Sequence, residues 1–277
     1  MFGGDAQEKK GESMIYRNRV KEAIETTGFA VGTFVQTASP ENAEIAAAVG
    51  FDFIIIDMEH GSFGIDKLVD MIRGVQIGGS TPVVRVPDHS ETGIFKALDA
   101  GAVGLIVPGV STAEQARKIA RAARYAPQGN RGACPRVRAT SHGISPWDRH
   151  VEWSNRNVMV WTIIETVEGF DNLEEIVKVP GIDAMAFGAF DLSQDMGLGG
   201  NTDHPEVRKR IEKGFATAVR NNVAIQIQLF EADPKAIRES AARWVSLGAK
   251  ILTCMTDRRV LALGMKETCA SLASVRK

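Results

Sequence analysis

Two carboxylates in this sequence each follow a short apolar run, at a spacing that suits a shared cation. Glu165 ends the run WTIIE, and Asp191 lies one strand–helix unit later in FGAFDLS. Adjacent parallel strands would hold these carboxylates side by side, where they repel unless a cation or a proton lies between them. Oxygen ligands with open positions favour Mg²⁺ or Mn²⁺, with Co²⁺ also possible. Taken singly, Glu165 could instead begin a helix and Asp191 could cap a turn.

A second group of polar residues follows two earlier apolar runs. Asp57, Glu59 and His60 come after FIII, and Arg85 lies inside VVRVP. The guanidinium of Arg85 could bind a substrate carboxylate or a developing oxyanion, because its planar fork matches both. An internal salt bridge to Asp57 or Glu59 fits the spacing equally well. His60 could be a base oriented by a nearby acid, or a structural histidine.

Eight short apolar runs alternate with helical patterns and would position these residues. The runs FIII and GLIV lack polar alternation, which is typical of parallel strands covered on both faces. The predicted strands are 29–35, 51–57, 81–86, 103–108, 158–164, 183–188, 223–230 and 250–255. The predicted helices are 41–50, 65–76, 91–101, 112–125, 169–179, 205–222, 233–248 and 258–276. This α/β order predicts a (β/α)8 TIM barrel more readily than a doubly wound open sheet.

In a TIM barrel the loops after the carboxyl ends of the strands form the active site. The polar residues above would therefore meet on one rim, although they are far apart in sequence. The Gly188–Ala189 step before Asp191 offers backbone N–H groups that could receive a carboxylate. The long irregular stretch 126–150 is predicted to serve function or an interface. The other histidines are predicted to lie on the surface: His89, His142, His150 and His204.

Composition and charge argue against several classes of protein. The chain has 277 residues and a formal net charge of -1, and such neutrality argues against nucleic acid or an anionic membrane as a partner. Three cysteines without CxxC spacing predict a reducing compartment. No apolar run approaches the roughly 20 residues of a membrane span. We therefore expect a cytoplasmic protein, with a flexible polar tail over residues 1–15 and a single barrel domain over residues 16–277.

Four of these motifs together resemble the HpcH/HpaI aldolase/citrate lyase family. DMEHG, VVRVP, IIETVEG and FGAFDLS are similar to motifs of its class II metal-dependent pyruvate aldolases, the 4-hydroxy-2-oxoheptanedioate aldolase group. The resemblance extends over roughly residues 20–270. It implies a barrel that reversibly cleaves a 4-hydroxy-2-oxo acid to pyruvate and an aldehyde. It also implies a homohexamer, a trimer of dimers whose subunits exchange their last helix.

The resemblance also implies roles for individual residues. Glu165 and Asp191 would bind the divalent metal. Arg85 would hold the keto oxygen of pyruvate and stabilise its enolate. His60, oriented by Asp57, would take part in proton transfer.

Further positions would line the pocket, and two of them depart from the family pattern. The backbone at Gly188 and Ala189 would receive the pyruvate carboxylate, and Phe34 would line the pocket. Ile163 replaces a family glutamine, and Phe190 replaces an alanine beside the metal-binding aspartate, so the pocket becomes more apolar. Two alternatives follow: a decarboxylase or carbon–carbon ligase that uses the same enolate and resembles macrophomate synthase, or a metabolite-binding barrel with weakened catalysis.

Overall fold

The computed structural model describes residues 17–273 and residue 275. Eight parallel strands form a closed barrel in sequence order, and β8 pairs with β1 to complete it. The strands are β1 (Ala30–Val35), β2 (Phe53–Asp57), β3 (Thr81–Arg85), β4 (Gly104–Val107), β5 (Met159–Ile164), β6 (Ala184–Phe187), β7 (Ala224–Leu229) and β8 (Ile251–Thr256). All eight predicted strands are present, and the predicted (β/α)8 barrel is confirmed. The predicted tail over residues 1–15 lies outside the described residues.

Helices of the described ranges surround this barrel, and none of them combines the length and apolar character needed to span a membrane. The first six are α1 (Arg19–Thr27), α2 (Pro40–Ala48), α3 (Ile65–Ile77), α4 (Glu91–Ala100), α5 (Ala113–Ala122) and α6 (Trp147–Asn157). The others are α7 (Val167–Asp171), α8 (Leu173–Ile176), α9 (Ala189–Asp195), α10 (Pro205–Arg220), α11 (Pro234–Ser246) and α12 (Asp257–Ala273).

The structure differs from the predicted helices in several places. The predicted helix 169–179 is divided into α7 and α8 at Asn172, whose side-chain amide donates to the carbonyl of Ser111 at 2.9 Å. Asn172 has φ of -89° and ψ of 3°, which departs from α-helical geometry and divides the helix. The stretch 126–150, predicted to be irregular, contains a 3₁₀ helix (Arg138–Gly143) and the start of α6. α1, α6 and α9 were not predicted.

Alternate residues of the strands fill the barrel interior, and this periodicity positions the polar residues. Phe53 on β2 and Trp161 on β5 meet edge to face in the interior, with ring centroids 5.4 Å apart. Side chains two or four residues apart share a face of a strand, so Asp57 and Glu165 point inward above these rings. Arg85 on β3 pairs in register with Asp57. A polar layer therefore lies directly over the apolar interior, at the carboxyl end of the strands.

The amino end of the barrel is closed by α1. Val20 and Ala23 on this helix are buried within the interior cluster, and Ile24 packs against it. Asn18 caps the helix by accepting from the Lys21 N–H, and its side-chain amide donates to the carbonyl of Asn157 at 2.6 Å. The apolar end thus has a cover, while the polar end opens at the loops.

Candidate active site

An ion pair between Asp57 and Arg85 occupies the centre of the polar layer. Arg85 Nε donates to Asp57 Oδ1 at 2.9 Å, and Nη2 donates to Oδ2 at 2.6 Å. Asp57 is completely buried, and Gln36 Nε2 donates to its Oδ2 at 2.8 Å. Burial alone would raise the pKa of Asp57, but the hydrogen bonds and charge of Arg85 outweigh it and hold this pKa below its usual value. The internal salt bridge, one of the two interpretations of Arg85, is therefore formed.

His60 lies beside a different carboxylate from the one predicted. Asp57 Oδ1 accepts from the backbone N–H groups of Glu59 at 3.1 Å and His60 at 3.2 Å. The imidazole Nε2 instead lies 3.7 Å from Glu59 Oε2, and the side chain of His60 is 64% exposed. The prediction that Asp57 orients the His60 ring is wrong, because arginine and amide donors already occupy both Asp57 oxygens.

Glu59 connects the arginine with the histidine, a position that sequence reasoning treated only as a possible salt bridge. Glu59 Oε2 lies 3.0 Å from Arg85 Nη1. Burial raises the pKa of Glu59 although the charges of Arg85 and His60 oppose the shift. The only signal in the sequence was its place in the motif after β2. Glu59 thus extends the polar layer from the barrel interior to the exposed rim.

Glu165 follows β5 and is held by the loop after β4. Its Oε1 accepts from the Gly109 N–H at 2.6 Å. Thr166 is the N-cap of α7 and accepts from the Gly169 N–H, so the interpretation of Glu165 as a helix start is wrong. Burial raises the pKa of Glu165 to about 7, against the Gly109 hydrogen bond and with help from the nearby charges of Asp191 and Glu59.

Asp191 lies in the first turn of α9 and keeps its carboxylate free. No hydrogen bond or ion pair among residues 17–273 occupies it, and α9 has no side-chain cap. The alternative that Asp191 caps a turn is therefore wrong. A Cβ at Gly188 would lie 2.7 Å from the Glu165 Cβ and 2.8 Å from its Oε2. Glycine at 188 therefore leaves the space that Glu165 needs next to α9.

The backbone N–H groups of Gly188 and Ala189, predicted to bind the substrate carboxylate, are only partly available. The Gly188 N–H donates to the carbonyl of Ile164 at 3.0 Å and so belongs to the barrel ladder. Gly188 as a donor to substrate is therefore a wrong prediction. Ala189 begins α9, and its N–H has no acceptor within the described part of the chain, as expected for the first residue of a helix. Ala189 as a substrate-binding residue stays a prediction.

The charges of the site fit a divalent cation. The charges of Asp57, Glu59 and Glu165 all act on Arg85, and the negative charge of Asp191 raises the pKa values of Glu59 and Glu165. Four carboxylates, of which Asp191 is exposed and Glu59 and Glu165 are half-buried, outnumber one guanidinium, and such an excess of negative charge is relieved by a cation. No three His, Cys, Asp or Glu side chains of residues 17–273 converge as a ligand set. A cation would thus have two protein ligands and leave its other positions to water and substrate.

Three apolar residues border the polar layer. The ring of Phe34 on β1 lies with its centroid 5.1 Å from the Arg85 guanidinium carbon, a cation–π contact that orients the arginine. Ile163 is buried in the interior, one layer below Glu165. Phe190, next to Asp191, is 57% exposed. That the two departures from the family pattern make the pocket more apolar stays a prediction.

One of the four histidines predicted to lie on the surface is buried. His150 is buried against Tyr125 and Trp147, and this burial lowers its pKa to about 4. His89 is half-buried, with Nε2 2.5 Å from the carbonyl oxygen of Pro108. The prediction is wrong for His150, because the packing of α6 was not visible in sequence. His204 is half-buried like His89, and His142 is exposed.

The first residues of α12 form hydrogen bonds with two loops of the site. Sequence reasoning did not find these contacts. Asp257 Oδ1 accepts from the Gln36 N–H at 2.9 Å. Arg258 Nη2 donates to the carbonyl of Gln36 at 2.8 Å, and Nη1 donates to the carbonyl of His60 at 3.2 Å. The loops after β1 and β2 are thus joined to the last helix.

A closed parallel barrel with an acidic layer at the carboxyl ends of its strands defines a (β/α)8 barrel enzyme. Comparison with known families gives a more specific answer. The model of the family described as HpcH/HpaI aldolase/citrate lyase matches residues 30–256. The chain belongs to the HpcH/HpaI aldolase/citrate lyase family.

Individual relatives and solved structures cover nearly the whole chain. A 5-keto-4-deoxy-D-glucarate aldolase of Klebsiella pneumoniae subsp. pneumoniae is 32% identical over 92% of this chain and 100% of its own. A 4-hydroxy-2-oxo-heptane-1,7-dioate aldolase of the same organism is 34% identical, over 91% of this chain and 93% of its own. The structure of an HpcH/HpaI family protein from Burkholderia cenocepacia J2315 has a TM-score of 0.81 at 28% identity, over 94% and 100%. That of macrophomate synthase has a TM-score of 0.79 at 29% identity, over 95% and 91%.

Proposed function

We propose that this chain is a divalent-metal-dependent aldolase that reversibly cleaves a 4-hydroxy-2-oxo acid to pyruvate and an aldehyde. The observation that carries this proposal is the pairing of Glu165 with a free Asp191 carboxylate beside the Arg85 ion pair. The aldolase names of the curated relatives, at 32% and 34% identity, support it. No lysine lies in the described loops after the strands, which argues against a Schiff base and for electrostatic stabilisation of the enolate.

Glu165 and Asp191 would hold the cation, which we propose to be Mg²⁺, Mn²⁺ or Co²⁺. When bound, the cation supplies a Lewis acid for the charge that develops on the keto oxygen. Gly109 holds one oxygen of Glu165 and leaves the other for a ligand. The Asp191 carboxylate needs no rearrangement of its hydrogen bonds to bind, because no described group occupies it.

Arg85 would bind the keto oxygen of the substrate. A guanidinium has five N–H donors, and Arg85 uses Nε and Nη2 for Asp57 and Nη1 for Glu59. One N–H on each terminal nitrogen therefore remains for substrate. Asp57 and the ring of Phe34 fix the guanidinium before substrate arrives, which is the arrangement that stabilises a developing oxyanion. The Ala189 N–H would receive the carboxylate of pyruvate.

His60 would accept the proton of the C4 hydroxyl group during cleavage. Its side chain is exposed at the rim, where an aldehyde product can leave. Glu59 lies 3.7 Å from the ring and would stabilise the imidazolium that forms. In the reverse direction the same histidine would return the proton to the new alkoxide.

A second candidate is a decarboxylase or carbon–carbon ligase that uses the same enolate. The likeness to macrophomate synthase favours it, since 95% of this chain is covered at 29% identity. The third reading, a metabolite-binding barrel with weakened catalysis, would bind Mg²⁺ and pyruvate without turnover. The Ile163 and Phe190 departures are compatible with all three.

An assay of 4-hydroxy-2-oxo acids, with pyruvate, aldehyde and CO₂ measured separately, distinguishes these functions. We expect pyruvate and aldehyde in equal amounts, lost on exhaustive chelation and restored by Mg²⁺ or Mn²⁺. Release of CO₂ without aldehyde would favour the second candidate. Aldol cleavage that survives complete removal of metal would refute the proposed mechanism.

The apolar side of α12 supports the proposed homohexamer built as a trimer of dimers. No side chain of α12 is buried, and its residues line a groove of about 580 Å³. Leu261 and Met265 are among its exposed apolar side chains, and such a face is typical of a covered interface. We propose that a second copy of this chain covers it by exchange of the last helix, in the cytoplasm. Light scattering should give a hexamer, and Met265→Glu should give smaller species.

A further inference from the structure

We propose that His89 is a positioning residue for Glu165 and acts through the Pro108–Gly109 peptide. The His89 Nε2 lies 2.5 Å from the carbonyl oxygen of that peptide. The N–H of the same peptide donates to Glu165 Oε1 at 2.6 Å. The inference rests on the proposed function, since it concerns a proposed metal ligand.

The chemistry of the two hydrogen bonds fixes their direction. A carbonyl oxygen only accepts, so the Nε2 atom of His89 carries the proton and donates to Pro108. The C=O and N–H of a trans peptide point in opposite directions, so His89 and Glu165 lie at the two ends of one peptide plane. A donor at the carbonyl polarises the peptide and strengthens its N–H as a donor. His89 therefore strengthens the hydrogen bond from the Gly109 N–H that orients the Glu165 carboxylate.

The local backbone makes this support necessary. Gly109 has φ of 64°, a left-handed conformation that glycine adopts readily because it lacks a Cβ. The next peptide is fixed, since the Val110 N–H donates to the carbonyl of Ile163 at 3.1 Å. Within the described ranges, the Pro108–Gly109 peptide has only His89 at one end and Glu165 at the other. Loss of His89 would free this peptide plane to rotate.

The loop that carries His89 has its own supports. Asp88 Oδ1 accepts from the Ser90 N–H at 2.8 Å. Ser90 caps α4 by accepting from the Gly93 N–H at 3.2 Å. The fold of the loop thus depends on Asp88 and Ser90, so a substitution at His89 can test positioning without removing the cap.

The experiment compares Mn²⁺ affinity, measured by calorimetry on the full chain without substrate, among variants with and without a donor at this point. His89→Gln places an amide N–H near the position of Nε2, whereas His89→Asn is too short and His89→Leu has no donor. We expect roughly tenfold weaker Mn²⁺ binding for the Asn and Leu variants, as for other groups that orient metal ligands. His89→Gln should bind like the wild type. His142→Asn, the same change at an exposed histidine of another segment, is the matched control and should leave affinity unchanged.

Each outcome decides the proposal. Equal Mn²⁺ affinity in the wild type, His89→Asn and His89→Gln overturns the proposal. The comparison of His89→Asn with His89→Gln tests it even if His89→Leu does not fold. A thermal melt checks that each variant is folded. Wild-type enzyme that binds Mn²⁺ and loses affinity in the Asn variant, yet cleaves no oxo acid, would sustain the role of His89 while refuting the aldolase. Wild-type enzyme that binds no Mn²⁺ would refute both.

Discussion

The two ends of the barrel are built from the same strands but from opposite kinds of side chain. β2 contributes Phe53 near the amino end and Asp57 at the carboxyl end, and β5 contributes Trp161 below Glu165. The amino end is covered by α1, whereas the carboxyl end opens at its loops. Phe53, which stabilises the fold, and Asp57, which would take part in the chemistry, are thus only four residues apart on one strand.

The free energy of burying a side chain is favourable at the amino end of the barrel and unfavourable at the carboxyl end. Burial of a large apolar side chain such as Phe53 contributes about 1.5–3 kcal/mol. Burial of a carboxylate is unfavourable unless a partner or a cation compensates it. Arg85 compensates Asp57, whereas burial raises the pKa of Glu165 to about 7 and outweighs the opposing effects of the Gly109 hydrogen bond and the charge of Arg85. The carboxyl end therefore carries negative charge that a bound cation would compensate. The four predictions below test this contrast between the two ends of the barrel.

Glu165→Gln should show the largest effect, a loss of at least about 10³-fold in pyruvate release, because the Lewis acid of the site contributes several kcal/mol. The pKa of Glu165 is raised above its unfolded value, so its ionised form destabilises the metal-free fold at pH 8. The variant should therefore unfold at a higher temperature than the metal-free wild type. The matched control is Glu168→Gln, an exposed position on α7. Full activity in Glu165→Gln would contradict the site.

Phe53→Ala should act at the opposite end, with a loss of about 3–5 kcal/mol in the free energy of unfolding. Phe53 is fully buried against Trp161, and its removal leaves a cavity. Urea denaturation measures the loss, and turnover per folded molecule should stay near that of the wild type. Ile77→Ala, at an exposed position, is the control. A drop in turnover as large as that of Glu165→Gln would show that the two ends do not act separately.

Phe190→Ala should change substrate preference by about tenfold to 200-fold, since one apolar contact discriminates aldehydes by about 1–3 kcal/mol. Phe190 is exposed beside Asp191, where it would favour apolar over charged aldehydes. Ratios of kcat/KM for the synthesis direction, across apolar and carboxylated aldehydes, measure the change. Ile144→Ala alters an exposed side chain on another segment and should have no effect. Unchanged ratios for Phe190→Ala would place the aldehyde elsewhere.

Metal affinity should depend on pH through Glu165, which must lose its proton to bind a cation. Because burial raises this pKa to about 7, Mn²⁺ binding should strengthen about fivefold between pH 6 and pH 7 and level off above pH 8. Calorimetry across this range measures the dependence. The Mn²⁺ affinity should be flat over this range if Glu165 is not a ligand.

The strands could be found from the sequence because their signal is local. FIII and GLIV are apolar on both faces, which is characteristic of strands covered by helices, and the residue after such a run lies at a strand end. The candidate carboxylates were therefore found one by one. The partners of these carboxylates were not found. The Asp57 carboxylate could have bonded to Arg85 or to the ring of His60, and Glu59 was given no role of its own.

Side-chain pairing depends on strand register and loop packing, which no single segment encodes. The register of β2 and β3 places Arg85 opposite Asp57, and this pairing leaves His60 to Glu59. The β4 loop decides that Glu165 bonds to Gly109, and that His89 supports the same peptide. The number and order of the strands and the residue types at their ends were determined by sequence alone. Which of those residues meet was decided only by the closed barrel, because hydrogen bonds over distances of 3 Å require groups brought together from distant parts of the chain.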